Sequence, residues 1–157
     1  TVVTDIALTQ PTDATLSGDS EPEQIPARKV TWNLWSVLGV RPLIGQAFTE
    51  EEDEKGVRVA VISYSLWQRR YGGSPDVLGR KITVNDNPYE VIGVMPKGFR
   101  HPFESGTSPM ELWAPIALDP KLHRLYLSAA RLGVAKQANG RPTIEPDSFG
   151  ILTVGRH

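Results

Sequence analysis

Three histidines, one acidic run, one arginine pair and four tryptophans are the residues of this 157-residue chain whose types could do chemistry. His101, His123 and His157 could ligate a metal, but their separations match no local ligand spacing, so only the fold could gather them. Glu50, Glu51, Glu52, Asp53 and Glu54 could hold a hard cation, which needs several oxygens converging from a turned loop. Thr49 before them instead reads as a helix cap followed by an acidic first turn, where the helix dipole favours carboxylates. A helical start splays consecutive carboxylates around the axis, so this run is expected to be a solvated turn and not a metal site. Arg69 and Arg70, beside Tyr71, could meet a phosphate or a partner. Their plainer reading is a solvated helix face, with arginine stems lying on an aromatic ring. Trp32, Trp35, Trp67 and Trp113 could form a sugar platform, but tryptophans more often anchor cores. Trp35, Trp67 and Trp113 fall in expected regular elements. Trp32 adjoins the cap of a short helix and is the one expected to be exposed. Trp32, Arg69 and Arg70 are therefore the candidate partner-contact residues. No residue is assigned a catalytic, cofactor-binding or metal-ligating role.

What is missing narrows the function further. There is no P-loop, no dinucleotide glycine fingerprint, no His-Glu-x-x-His, no EF-hand loop and no nucleophile elbow. The chain has no cysteine, which excludes disulfides, thiolate metal sites and cysteine nucleophiles. Seventeen basic against eighteen acidic residues leave a net charge of −1. That balance argues against nucleic-acid binding and gives no general attraction to anionic lipid. No run of about 18 apolar residues exists, so no segment reads as a membrane span. The start at Thr1 lacks the basic and apolar stretches of a signal peptide, and with no initiating Met the chain reads as a fragment or a processed product. A carboxylate pair for glycoside cleavage depends on spacing in the fold, and no pair stands out.

The elements that must position these residues follow from pattern. Residues 1–9 hold β-branched residues in partial alternation and read as a strand. Residues 10–26 are polar and proline-bearing and read as a long loop with room for a hairpin. Arg28 to Thr31 is a short strand candidate. Asn33 is placed to cap a helix over Leu34 to Leu38 that Gly39 ends. Val40 to Ile44 reads as extended. Val57 to Ser63 alternates and reads as a strand, and Ser63 then caps a helix from Tyr64 to Tyr71 that Gly72 and Gly73 stop. In that helix Leu66 and Trp67 face inward. Ser74-Pro75-Asp76 starts a further helical turn. Arg80–Val84 and Tyr89–Met95 form the clearest hairpin, across Asn85-Asp86-Asn87-Pro88. Residues 96–109 are a Gly/Pro/Ser-rich loop. Glu111 to Ile116 reads as a strand that Pro115 confines to an edge. Leu125 to Leu132 is a last apolar run, and residues 133–157 are weakly patterned. Many strands and short helices without regular βαβ alternation make the class α+β, strand-rich.

An ordered series of short motifs runs through the same stretch. Asn33, Trp35, Val37 to Gly39, Arg41, Pro42, Gly45, Phe48, Thr49 and Glu51 to Asp53 come first. Ser63 to Gly73, Pro75, Val77, Leu78 and Gly79, Val91 to Pro96, Gly98 and Phe99 follow, then Glu111 to Pro115 and Leu125 to Leu132. Over residues 28–134 this resembles the periplasmic core domain of MacB-type ABC transporter permeases, of the acidobacterial group. Three departures stand out. The family places this domain between its first and second membrane spans, and no span is present here. Gln46 stands where Arg is usual. After Leu132 the family's Lys-Pro-Gly-Val segment and long helix are replaced.

The resemblance implies an extracytoplasmic domain of two lobes, one mixed α/β lobe built from both chain ends and one mostly β lobe from the middle. Residues 1–27 would be an N-terminal strand and loop of the mixed lobe. Residues 28–110 would form the β lobe around its central hairpin, and 111–134 the return strands. Residues 135–157 would be a divergent or disordered tail. Such domains are not enzymes. They couple ATP-driven transmembrane motion to a periplasmic event, with ATP bound by a separate nucleotide-binding domain and no cofactor in this chain. Implied partners are the transmembrane helices and ABC ATPase of the same transporter and a periplasmic adaptor, in a dimeric transporter tethered to the inner membrane. Two rival readings remain: a free-standing binding module for peptide, lipid or glycan, and a carboxylate-based hydrolase with two converging acids of shifted pKa.

Overall fold

Ala14 and Leu16, Ile25 and Ala27, and Ile82 and Val84 are buried at alternate positions with a more exposed residue between each pair, while Val59–Ile62 and Leu112–Pro115 are buried on both faces, and these two patterns build the architecture. The computed structural model describes residues 2–18, 21–99, 109–121, 124, 143–144 and 150–156. The strands are β1 (Val2–Ser17), β2 (Glu23–Val30), β3 (Ile44–Gly45), β4 (Val59–Ile62), β5 (Lys81–Val84), β6 (Asn87–Val94), β7 (Leu112–Pro115), β8 (Thr143–Ile144) and β9 (Gly150–Arg156). Short α-helices interrupt them, among the described residues α1 (Leu34–Leu38), α2 (Glu50–Glu54) and α3 (Tyr64–Tyr71). Single 3-10 turns lie at Pro75–Val77 and Ile116–Leu118. The class is α+β with strands predominant, as the sequence predicts.

Six strands close on themselves. β1 pairs antiparallel with β2, β2 parallel with β7, and β7 antiparallel with β4. β4 pairs parallel with β6, β6 antiparallel with β5, and β5 antiparallel with β1. This ring leaves no open edge among its members, where unpaired N–H and C=O groups would otherwise accumulate. β1 serves two neighbourhoods: Thr9 to Leu16 lies against β2, while Val2 to Thr9 carries β9, and β8 pairs beyond it.

Inside the ring one face of each strand forms a single core: Ala14 and Leu16, Ile25 and Ala27, Ala60 and Ile62, Ile82 and Val84, Val91 and Val94, Leu112 and Ala114. Small and large side chains mix, as a narrow barrel requires. β6 keeps its register only through a bulge. Ala60 opposes Val91 but Val61 opposes Gly93, so Ile92 is the extra residue, and both Val91 and Val94 turn inward. α3 adds Leu66, Trp67 and Tyr71 to this core. The other strand faces carry Val30, Val59, Val61 and Trp113, which pack with Leu34, Trp35, Phe48 and Met95 in a second core.

The local signals for helix ends are used as written. Thr49 and Glu52 form a reciprocal capping box, with Glu52 N–H to Thr49 Oγ1 at 3.1 Å and Thr49 N–H to Glu52 Oε1 at 2.8 Å. Ser63 Oγ accepts the Leu66 N–H at 3.0 Å. Asn33 occupies the cap position of α1, but its Oδ1 accepts from the Thr31 hydroxyl at 2.7 Å instead of capping the helix.

Several expectations change. Residues 10–26 are mostly a hairpin, not a long loop. Their polar residues alternate with Ala14, Leu16 and Ile25 on one face, and between Gln10 and Ala14 the ladder of β1 is to β2 alone, which tolerates Pro11. β7 is interior, between β2 and β4, and not an edge. Its Pro115 is tolerated because the ladder to β4 stops at Trp113. The β5–β6 turn is tighter than expected. Asn85 and Asp86 alone make it, with φ of 50° and 68°, the left-handed pair of a twisted two-residue hairpin, and Pro88 already lies within β6 opposite Thr83. From Val40 to Ile44, only Ile44 pairs as strand. The weakly patterned C-terminal stretch contributes β8 and β9. Leu125 to Leu132 lies outside the described residues.

β3 crosses β6 at a glycine pair, Gly45 opposite Gly93. A Cβ on Gly93 would sit 2.5 Å from the Gln46 carbonyl oxygen, where Gln46 N–H also reaches Ile92 O at 2.9 Å. Replacing Gly93 by Ala must push these backbones apart. The expected loss is about 1–3 kcal/mol, the range of an overpacked contact, read as a lower urea midpoint. Gln46→Ala, which keeps the same backbone, is expected to stay within about 0.5 kcal/mol of the parent.

Candidate functional site

Serine-capped α3 presents Tyr64, Gln68 and Arg69 toward the segment that follows β6. Its inner side is fixed by Trp67, whose indole N–H donates to Ser74 O at 2.8 Å while its ring stacks edge-on with Tyr64, 5.7 Å between centroids. Together these make one wall of a groove of about 550 Å³; Met95, Pro96, Lys97 and Phe99 line it opposite. Most of the lining is apolar. The Lys97 ammonium stands 6.0 Å from the centre of the Tyr64 ring, within range of a cation–π contact.

The arginine pair is engaged within the fold. Arg69 Nη2 spans both carboxylate oxygens of Glu111 at 2.8 and 2.9 Å, and its Nη1 bonds Glu23. Burial alone would lower the Arg69 pKa, but the hydrogen bonds it donates to the Glu111 and Glu23 carboxylates outweigh burial and hold the pKa above the ordinary value. Arg70 is largely buried and reaches Glu23 at 3.2 Å and the Glu21 carbonyl at 3.3 Å. The pair ties α3 to the starts of β2 and β7, and is not the solvated helix face the sequence suggested. Glu23 and Glu111 thereby come together, but a guanidinium fills the space where a hydrolase would need its scissile bond.

Trp32 is half-buried against the second core, and its backbone N–H is held by Asp53 Oδ2 at 3.0 Å. It lies just past the C-terminal end of β2, whereas Glu23, which holds both arginines, opens that strand. An eight-residue strand is roughly 25 Å long, so Trp32 and the arginine pair sit at opposite ends and form no common site.

The acidic run divides by role. Glu51 pairs with Lys55 at 2.7 Å; their mutual hydrogen bond lowers the Glu51 pKa and raises that of Lys55. Glu52 is spent on the capping box. Asp53 corrects the expectation of a solvated turn: it is 2% exposed, and its Oδ1 also accepts the Ala117 N–H at 3.1 Å. Among the described residues no three His, Asp or Glu side chains gather into a metal site. His101, His123 and His157 lie outside the described residues.

Sequence reasoning missed two features. One is Arg28, buried in β2 and bonded to Thr9 Oγ1 at 2.9 Å; burial pushes its guanidinium down to about 10, so it stays charged at neutral pH. The other is the groove, whose walls come from segments about 30 residues apart in sequence.

The family model for the MacB-like periplasmic core domain matches residues 2–141. This chain belongs to that family. The MacB-like match takes in the N-terminal hairpin, which the motif series of residues 28–134 did not reach. A probable export ATP-binding/permease protein of Pseudomonas fluorescens is 27% identical over 126 residues, covering 78% of this chain and 19% of that protein. A pyoverdine export ATP-binding/permease protein of Pseudomonas savastanoi is 33% identical over 51 residues, covering 32% of this chain and 8% of that protein. The chain thus spans a fifth or less of these curated relatives. The extracellular domain of the noncanonic ABC-type transporter YknZ from Gram-positive bacteria shares the fold, with a TM-score of 0.63 at 15% identity, covering 99% of this chain and 66% of that one. The periplasmic region of MacB from Actinobacillus actinomycetemcomitans gives a TM-score of 0.63 at 15% identity, covering 98% and 59%. No helix among the described residues is long and apolar enough to cross a membrane.

Two substitutions separate what this MacB-like domain needs from what it tolerates. Asp53→Ala strips two backbone N–H groups of their acceptor and is expected to cost about 2–4 kcal/mol. Arg69→Ala removes an ion pair whose arginine is 44% exposed and is expected to cost about 1 kcal/mol or less, shrinking further as salt is raised. Urea unfolding at low and high salt measures both.

Proposed function

We propose that this chain is the non-catalytic extracytoplasmic part of a MacB-like ABC export permease, carried between two membrane spans. It relays ATP-driven motion to a periplasmic partner or cargo. The family match over residues 2–141 carries the reading. The names of the Pseudomonas relatives, which combine an ATP-binding and a permease part, support it. The absence of a P-loop from the sequence agrees with ATP binding on a separate domain.

In this reading β1 is the element that two lobes share. Its second half belongs to the ring and its first half to the β9–β8 extension. Lobe reorientation about such a shared strand is a hinge-type motion. Partner contacts on an adaptor or the opposite protomer fall first to Trp32. Arg69 and Arg70 contribute only if a partner carboxylate exchanges with Glu23 or Glu111.

Reading the source DNA on both sides of the segment is expected to show an apolar stretch of about 20 codons on each flank. In the permease that contains it, deleting this segment is expected to abolish export while ATP hydrolysis persists within about twofold. Retained export in the deletion, or a start and a stop codon close to the segment's ends, overturns the reading.

A further inference from the structure

The groove between α3 and the segment after β6 is not used by the transport reading, and its chemistry is unbalanced in a way that points to a ligand. Its volume of about 550 Å³ lies in the range of small-molecule sites, roughly 300–1,000 Å³, and like them it is apolar with a few polar groups. Tyr64, Met95, Pro96, Phe99 and Pro109 supply the apolar lining. Of the three charged residues that reach it, two cancel: Arg69 is chelated by Glu111. The third, Lys97, is exposed and has no carboxylate partner among the described residues. It rests over the Tyr64 ring. The groove therefore offers an apolar trough with one uncompensated cation at its lip.

We propose that this groove binds a small amphiphilic carboxylate, its apolar body along Tyr64, Met95 and Phe99 and its carboxylate on the Lys97 ammonium. A cationic amphiphile of the same body would meet Lys97 as a like charge. A bilayer surface is the wrong source for the anion. Attraction to anionic membranes takes a cluster of about 4–8 basic side chains, and a single free lysine on a chain of net charge −1 does not supply it. The proposal concerns only this surface, so it stands or falls separately from the transport reading.

The test is titration of the 157-residue chain with dodecanoate below its micelle-forming concentration, followed by backbone amide shifts and calorimetry. Dodecyltrimethylammonium and phosphatidylglycerol vesicles serve as parallel probes. Dodecanoate is expected to move the amides of residues 63–69 and 95–99. It is expected to bind at least tenfold more tightly than the trimethylammonium compound and to weaken about tenfold in Lys97→Glu. Because Lys97 is exposed, that variant keeps the parent's unfolding midpoint. Ser65→Trp, on the exposed side of α3, fills the trough and is expected to remove binding without unfolding the chain. Equal affinity for both amphiphiles, amide shifts elsewhere, or an unchanged dodecanoate affinity in Lys97→Glu overturns the proposal. So does vesicle binding without dodecanoate binding, which would make this a membrane-facing surface.

Discussion

Ring closure at β1 is the constraint on which the rest depends. A narrow sheet left open would expose two ladders of unpaired backbone groups, each costly to bury and prone to pair with another chain. Here β1 bends across the gap, pairing β2 over Thr9 to Leu16 and β5 at Leu16 and Ser17. Once the ring is closed its interior is narrow, and only alternation of small and large side chains fills it. The alanines Ala14, Ala27, Ala60 and Ala114 are therefore as necessary as the leucines and isoleucines beside them. The same geometry dictates the Ile92 bulge. β4 and β6 run parallel with one residue to spare, and without the extra residue either Val91 or Val94 would point out of the core.

Outside the ring the packing problem is different, because the outer faces of β4 and β7 and the end of β2 at Val30 are apolar and must be covered by irregular chain. The segment from α1 to α2 does this, and Asp53 is what fastens it. One carboxylate takes the Trp32 N–H just after β2 and the Ala117 N–H just after β7, so two strand exits are clipped to one helix. Charge-assisted bonds to backbone donors are among the stronger hydrogen bonds available, and they let a loop-rich cover sit over Trp35 and Trp113 without a regular helix layer. The arginine pair plays the corresponding part for α3, holding it to Glu23 and Glu111 near the opposite end of β2.

What the sequence disclosed follows this division. Features decided within a few residues were legible: the Thr49 and Ser63 caps, the left-handed glycines 39 and 72, the β5–β6 hairpin and the inward side of α3. The motif series also disclosed the family, because it samples many such local features in order. Features decided by distant partners were not. Residues 10–26 looked like loop because β-strand polar residues and loop polar residues have the same composition, and only pairing with residues far away tells them apart. Asp53 looked like its four neighbours, since nothing in a run of acids marks the one that will point inward at Ala117, 64 residues on. Arg69 and Arg70 look like surface in the sequence because their counter-charges, Glu23 and Glu111, lie more than 40 residues away, at the start of β2 and just before β7. The groove had no signature at all, being the space between two such segments.

The proposed relay role asks for stiffness in one place and yielding in another, and the distribution of interactions here offers both. Bending the ring would break continuous backbone ladders in several strands at once, so the ring is the stiff part. The attachments around it are of another kind. The Glu23–Arg69–Glu111 bridge is partly solvent-exposed, and each such pair contributes on the order of 1 kcal/mol or less. Exchange of one carboxylate partner for another at Arg69 therefore costs little, while the arginine keeps its charge throughout. α3 is anchored underneath by Leu66, Trp67 and Tyr71, so an exchange at its surface need not unpack the core. Motion imposed through β1 would then reach α3 along the ring as a whole, and be resolved at the weak ionic contacts that join α3 to β2 and β7.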